Sequence, residues 1–343
     1  MSKIEELLKQ QQEISAAIQA EYARSKAEAE KGEAQAQYEL GVIHYKGQGV
    51  PQNFAEAGRC FKLAAAQGNA SAQIDLGAMY EQAQGVAKDA AEAVRLYQLA
   101  VAQGSAVAYY RLGKLFEAGQ GVKQDFQEAI RLYKWAAQHG DAHAHFAMGS
   151  VYENHHGVEQ DNAEAVRWYK LAAGLGHEDA LIRMGVLLEQ GQGVRQDYAE
   201  AMRCFMLLAT KGHAPAQIQV GTMYDQGLGV KQDYIQAKRW FSLAAAQNDP
   251  VAQTKMGLVY ANGKGVPQNY AEGIRWYKLA AAQDNAAAMS NLGFMFEHGL
   301  GVEIDEAQAL QYFNKAARKG DPNAIKNRDI IEARIAARQP HIP

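Results

Sequence analysis

Eight glycines, Gly41, Gly77, Gly113, Gly149, Gly185, Gly221, Gly257 and Gly293, follow one another at intervals of 36 residues with no insertion. Self-similarity at a fixed period of this length marks a repeat array, in which each unit buries its apolar face on the next. The other landmarks keep step. Alanine recurs at all eight equivalents of Ala36, glycine at all eight of Gly49 and valine at all eight of Val50. The 343 residues therefore divide into an N-terminal segment 1–32, repeats at 33–68, 69–104, 105–140, 141–176, 177–212, 213–248, 249–284 and 285–320, and a C-terminal segment 321–343. A residue together with its equivalents every 36 positions is called a column below.

One repeat reads as two helices around a turn. From Ala34 to Tyr45 the positions 36, 40, 43 and 44 have helical spacing and are small or apolar throughout, His44 apart; this is helix A. Glycine in its middle costs about 1 kcal/mol against alanine, so the Gly41 column predicts close approach by a neighbouring backbone. After the Gly-Val turn come Asn53, Asp89, Asp125, Asp161, Asp197, Asp233, Asn269 and Asp305, each followed three residues later by Glu or Gln. That pairing predicts a reciprocal capping box at the start of helix B. Helix B runs to Gly68, Gly104, Gly140, Gly176, Gly212, Asn248, Asp284 and Gly320, residue types that tolerate a left-handed C-terminal position. Taken alone, GLGVKQD at residues 227–233 has the form of a phosphate cradle. Used eight times, with an Asp or Asn cap on the N–H groups an anion would need, it is a hinge between helices.

Composition agrees with close-packed helices: Ala and Gln abound, prolines number 7 and aromatic residues are 9%. A formal charge of −3 and a pI near 6.4 give no general attraction to nucleic acid or to an anionic membrane. The opening MSKIEELLKQQQEISAAI is charged and amphipathic, without the apolar run of a signal peptide. No stretch approaches the roughly 18 apolar residues of a membrane span. A soluble cytoplasmic protein is expected. Two cysteines, Cys60 and Cys204, make no disulfide framework, which suits a reducing compartment.

Helices B such as AEAVRWYKLAAGLG and AEGIRWYKLAAAQD, joined to helices A of the form AQxxLGxxYxxGxGV, resemble the Sel-one-like repeat (SLR) family, a relative of the tetratricopeptide repeats. The resemblance covers residues 33 to 320. It implies an all-α fold: a right-handed α/α superhelix (solenoid) of eight 36-residue helix-turn-helix repeats with helical N- and C-terminal caps. It also implies a non-enzymatic scaffold or adaptor that binds other proteins, in bacterial signalling, envelope or host-interaction systems or in eukaryotic membrane-protein quality control. The family's cysteine-rich branch, with a disulfide in each repeat and a link to β-lactam binding or hydrolysis, has a pattern absent from this sequence.

The ends depart from the repeat. Residues 3 to 31 predict a long helix with Ile4, Leu7, Leu8, Ile14, Ile18 and Tyr22 on one face, standing in for a helix B and covering the first repeat. Their near-heptad spacing also allows pairing with a second chain, so a monomer or a weak dimer through this helix is expected. From Pro322 to Arg338 a ninth helix A begins, but Asp329 replaces its glycine and Arg328 its leucine; it reads as a polar cap.

Several constellations have a structural and a functional reading. Arg59, Arg95, Arg131, Arg167, Arg203, Arg239 and Arg275 form a basic ladder that could follow a nucleic-acid backbone, yet six of them follow a Glu by three residues, the spacing of local helical ion pairs. Among His139, His143, His145, His155 and His156, only the first three could meet at one repeat junction, and no metal site is expected. Cys60 and Cys204 share a column with Leu96, Leu132, Trp168, Trp240, Trp276 and Tyr312, which makes them core fillers. The signatures S-x-x-K, G-x-S-x-G and H-E-x-x-H and the P-loop are absent, so no catalytic residue and no cofactor is assigned.

A partner should use columns that vary on the face of helix A turned from helix B, the side that lines the concave groove of such solenoids. Column 39 reads Glu39, Asp75, Arg111, Ala147, Arg183, Gln219, Lys255 and Asn291; column 42 reads Val42, Ala78, Lys114, Ser150, Val186, Thr222, Leu258 and Phe294. Column 38 adds Tyr38, Tyr110 and Phe146. Arg111, Lys114, Arg183 and Lys255 give a basic middle, so the expected ligand is a protein or peptide segment of acidic character. Two alternatives stay open. An RNA reader taking one base per repeat is opposed by the acidic pI and the Glu partners of the ladder. A β-lactam hydrolase is opposed by the missing cysteines.

Overall fold

The computed structural model describes residues 3–338 as 18 α-helices, with no strand among the described residues. It comprises two compact units, Met1–Ala180 and Leu181–Pro343. In the first, α1 (Lys3–Glu30) precedes the helix A and helix B pairs α2 (Ala34–Lys46) with α3 (Phe54–Ala66), α4 (Ala70–Gln82) with α5 (Ala90–Val101), α6 (Ala106–Ala118) with α7 (Phe126–Gln138), and α8 (Ala142–Glu153) with α9 (Asn162–Gly174). The division falls within α10 (Glu178–Gln190). In the second unit α11 (Tyr198–Ala209) is followed by α12 (Ala214–Gln226) with α13 (Tyr234–Ala245), α14 (Pro250–Asn262) with α15 (Tyr270–Ala282), α16 (Ala286–His298) with α17 (Glu306–Arg318), and lastly α18 (Pro322–Arg338).

The turn between the helices works by three devices. Helix A ends on a left-handed residue, glycine in most repeats, whose N–H returns to a carbonyl of the last turn. Gln52, Gln124, Gln160, Gln196, Gln232 and Gln268 then donate their side-chain amides to the carbonyls of Tyr45, Glu117, Glu153, Glu189, Asp225 and Ala261, each at 2.8 Å. The open end of helix A is thereby closed. Finally, the backbone N–H of every helix-B cap donates to a helix-A carbonyl, from Asn53 to His44 at 2.9 Å through Asp305 to Phe296 at 3.0 Å.

That last bond corrects the capping box. Half of it is present: Asn53 Oδ1 accepts from the Glu56 N–H at 3.0 Å, and Asp89 and Asp161 do likewise for Glu92 and Glu164. The return bond is pre-empted, because the cap N–H already has its carbonyl. The glutamates turn instead to the arginine three residues on, with Arg59, Arg95 and Arg131 at 2.6 Å from Glu56, Glu92 and Glu128 and the pairs at Arg167, Arg203 and Arg275 alongside. These exposed i,i+3 pairs are worth a few tenths of a kcal/mol each, so the ladder decorates helix B without holding it in place.

The Gly41 column also needs correction. A Cβ on Gly41 would lie 2.5 Å from the Phe61 ring, and one on Gly113 2.6 Å from that of Tyr133; in all eight repeats the intruder is an aromatic side chain of helix B. The glycine opens a slot for a ring and not for a backbone. Tyr97, Tyr133, Tyr169, Phe61, Phe205 and Phe313 are among the largest fully buried side chains, each seated on its glycine.

Two repeats break the turn rule, at Ala83 and His155, and the first yields a test. Ala83 takes the left-handed position at φ 55° that Gly47 and Gly119 take at 70° and 65°. A Cβ there costs about 1–2 kcal/mol, so Ala83→Gly is expected to stabilise the protein by about 1 kcal/mol, read as a higher denaturant midpoint at unchanged slope.

The N-terminal helix enters helix-B register only from Ile18 onward. Gln19 Nε2 donates to Gly49 O at 2.8 Å, the bond that Gln127 makes to Gly157 at 2.6 Å. Tyr22 is half-buried against His44, whereas Ile14 is 61% exposed, so it does not cover the first repeat as expected. The side chains of Ile4, Leu7 and Leu8 lie outside the described set. In α18, Ala324 and Ile331 are buried on the last repeat while Asp329 is exposed and binds Arg328 at 2.7 Å.

Candidate functional site

Each unit has a cavity on its helices A, and the same columns line both. In the first unit a cavity of about 330 Å3 is bounded by Glu81, Val107, Tyr110, Arg111, Lys114, Asp141 and His143. In the second, a cleft of about 430 Å3 gathers Ile182, Val186, Ile218, Gln219, Thr222 and Lys255, with His213, Pro215, Asp249 and Val251 at its edge and Phe205 among its walls. Columns 38, 39 and 42 contribute to both, as do column 35, which supplies Val107, His143, Pro215 and Val251, and the cap column of Asp141, His213 and Asp249. Fixed columns form the core behind them: Ala108, Leu112 and Leu115 in α6 and Ala216, Val220 and Met223 in α12 are buried.

The structure brings Tyr110, Arg111 and Lys114 together, but the first cavity is mixed in charge. Glu81 accepts from Tyr97 Oη at 2.9 Å, and Asp141 Oδ1 accepts from the Ala144 N–H at 2.8 Å, so both carboxylates are in use. Arg111 is half-buried, its charge acting on Asp75, Tyr97 and Tyr110. Burial pushes the Asp75 carboxyl up, against the hydrogen bond from Tyr38 and the Arg111 charge. Tyr38 donates to Asp75 at 3.1 Å, and burial with the Asp75 charge raises its phenol to about 12. Burial likewise raises the Tyr110 phenol. Lys114 is exposed and makes no ion pair among the described residues.

Phe146 sits beside this cavity, one imidazole pair away. Tyr110 and His143 stack at 5.5 Å between ring centres, His143 meets His177 edge-on at 4.9 Å, and His177 stacks on Phe146 at 4.4 Å. Burial, then His143, lowers the His177 pKa. Hence His139, His143 and His145 do not converge: His139 stacks on Trp135 at 3.7 Å, and His145 Nδ1 lies 2.9 Å from the Asp141 carbonyl. Among the described residues no group of three His, Cys, Asp or Glu is placed to hold a metal. Of the remaining candidates, Lys255 lines the second cleft, Arg183 is exposed on α10 outside its lining, Glu39 accepts from Gln35 at 2.9 Å, and Phe294 stacks on His298 at 4.1 Å. Tyr38, Glu39 and Phe294 line neither cavity.

A second surface escaped the sequence reading. Column 63 of helix B presents Leu63, Leu99, Leu171, Leu207, Leu243 and Leu279, each between 40% and 57% exposed. In the first unit Trp135 takes the same column, stacked between Tyr109 and His139. Cys60 and Cys204 are buried and form no disulfide.

Helix pairs repeated at a fixed interval, with apolar cores between them and variable columns lining cavities on their helices A, define an all-α helical-repeat protein. The chain belongs to the Sel1 repeat family, whose model matches it eight times, at 34–69, 70–105, 106–141, 142–177, 178–213, 214–249, 250–285 and 286–321. Members of this family are generally non-enzymatic protein-interaction scaffolds. A protective antigen present in uropathogenic Escherichia coli strains, displaying an SLR fold, is 32% identical with a TM-score of 0.79 over 91% of this chain and 67% of that one. A Sel1 repeat protein from Oxalobacter formigenes is 30% identical with a TM-score of 0.64 over 89% and 88%. The comparison with curated proteins found no match. No helix among the described residues is long and apolar enough to cross a membrane.

Proposed function

We propose that this chain is a non-enzymatic adaptor that takes a peptide segment of a partner protein on the exposed helix-A columns of its units, in cytoplasmic bacterial signalling or regulation. The observation that carries this reading is the shared lining of the two cavities: columns 35, 38, 39 and 42 change residue type from repeat to repeat, while the columns beside them stay fixed and buried. A surface freed from stacking is where specificity can vary at no cost to the fold. Lys114 and Lys255 favour carboxylates on the segment. Buried cysteines outside any disulfide suit a reducing compartment. The chain is a monomer, or a weak dimer through α1, in this reading.

The test is quantitative affinity capture from host lysate with wild-type protein and a folded Lys114→Glu, Lys255→Glu double variant. At least one captured protein is expected to fall by about tenfold or more in the variant, the effect of losing hot-spot contacts. An unchanged set of captured proteins would move the binding surface elsewhere.

A further inference from the structure

In three of the first unit's four repeats column 38 of helix A carries a ring that packs on the buried ring of the same repeat, the second repeat having Ile74. Tyr38 lies 5.6 Å from Phe61, Tyr110 6.0 Å from Tyr133 and Phe146 5.3 Å from Tyr169, centre to centre and tilted. In the second unit that column reads Ile182, Ile218, Thr254 and Ser290, so Phe205 has an isoleucine, as Tyr97 has Ile74, where Phe61, Tyr133 and Tyr169 have a ring. The cleft of about 430 Å3 opens at this place, with Ile182, Val186 and Ile218 packed against the cluster that holds Phe205. Its size falls within the roughly 300–1,000 Å3 of ligand pockets, and its lining is mainly apolar with a few polar groups, the make-up of a socket for one large side chain. Thr222 is short at column 42, where Phe294 stands two repeats later.

The polar edge fixes what accompanies that side chain. Lys255 lines the cleft, and among the described residues no carboxylate lies within ion-pair distance of it. Asp249 lines it too, but its Oδ1 already accepts the Val251 and Ala252 N–H groups at 2.8 and 2.9 Å as the cap of α14. One cation is left for a ligand. We infer that the second unit is an aromatic-anchor site: a partner peptide inserts a Phe, Tyr or Trp side chain into this cleft, against Ile182, Val186 and Ile218, and sets a neighbouring Asp or Glu on Lys255. The inserted ring buries its faces on that apolar wall. This inference rests on the peptide-binding reading above and names the ligand for one of its two cavities.

Panning a random-peptide display library on the full chain tests it, followed by titration of the winning synthetic peptide. Enriched peptides are expected to share one aromatic residue with an acidic residue close by. Ile182→Phe, which fills the cleft from within, and Lys255→Glu are each expected to weaken the winner by about tenfold or more, while Lys134→Glu, exposed on α7 and lining neither cavity, leaves it unchanged. Thr222→Phe fills the cleft from another helix and serves if Ile182→Phe does not fold. Peptides without a common aromatic, or an affinity unmoved by the filling variants, overturn the anchor site while leaving peptide binding intact. A library that yields nothing above a scrambled control overturns both.

Discussion

Tyr133→Ala is expected to cost about 3–5 kcal/mol, the range for deleting a fully buried aromatic side chain. Its ring is among the largest with no exposure, seated on Gly113, and its Oη donates to Glu117 Oε2 at 2.7 Å. Tyr133→Phe separates the two contributions. Phe61, Phe205, Phe241 and Phe313 hold the same slot without a hydroxyl, so the ring suffices for packing. Losing the hydrogen bond to Glu117, which keeps His156 Nδ1 at 2.9 Å, should cost about 1–2 kcal/mol. Denaturant midpoints of the two variants check the ordering. Equal losses would mean that the polar bond, and not the ring, seats helix B.

Gly149→Ala is the converse experiment. Alanine is the better helix former by about 1 kcal/mol, and on propensity alone the substitution would stabilise α8. The added Cβ would stand 2.5 Å from Tyr169, whose Oη is fixed on Glu153 Oε2 at 2.6 Å, so the ring cannot retreat without breaking that bond. Overpacking of this kind costs about 1–3 kcal/mol and occasionally more, and a net loss of about 2 kcal/mol is expected. Gly174 supplies the control, because an added Cβ there meets nothing within 4 Å and the residue is the last of an exposed helix end. Gly174→Ala should gain up to about 1 kcal/mol. Opposite signs for the same chemical change, measured by thermal or denaturant unfolding, would establish the ring slot. Matching signs would dismiss it.

The repeat frame was legible because eight copies separate what the fold requires from what one unit happens to carry. Glycine at column 41 announced a close approach, and the identity of the intruder was also on the page: column 61 is aromatic in every repeat, twenty residues after each glycine. The two columns were not paired in the sequence reading, because glycine within a helix suggests a neighbouring main chain first. The capping box was half visible, since no local rule reveals that the cap N–H is taken by the preceding helix. Columns 38, 39 and 42 stood out by their variability. Column 35 did not, because its residues lie in the first turn of helix A, where polar variation is ordinary; Val107, His143, Pro215 and Val251 are cavity residues by virtue of the stacking that brings that turn beside the next. His143 and His177, separated by almost one repeat, meet for the same reason. What sequence could not convey was how far Arg111 is occupied, as Asp75 and Tyr97 belong to the preceding repeat. The charge open to a ligand is therefore carried by the lysines more than by the arginine.

Two surfaces compete for the partner: the helix-A cavities and the leucine row on helix B. Site-specific photo-crosslinking decides between them. A photoreactive residue at Lys114 or Gln219, both lining helix-A cavities, is compared with one at Leu99 or Leu207, both in the exposed row. Adducts with the captured partner from Lys114 or Gln219, and none from Leu99 or Leu207, are the predicted result. Adducts from the leucine row alone would contradict the account and make helix B the binding surface.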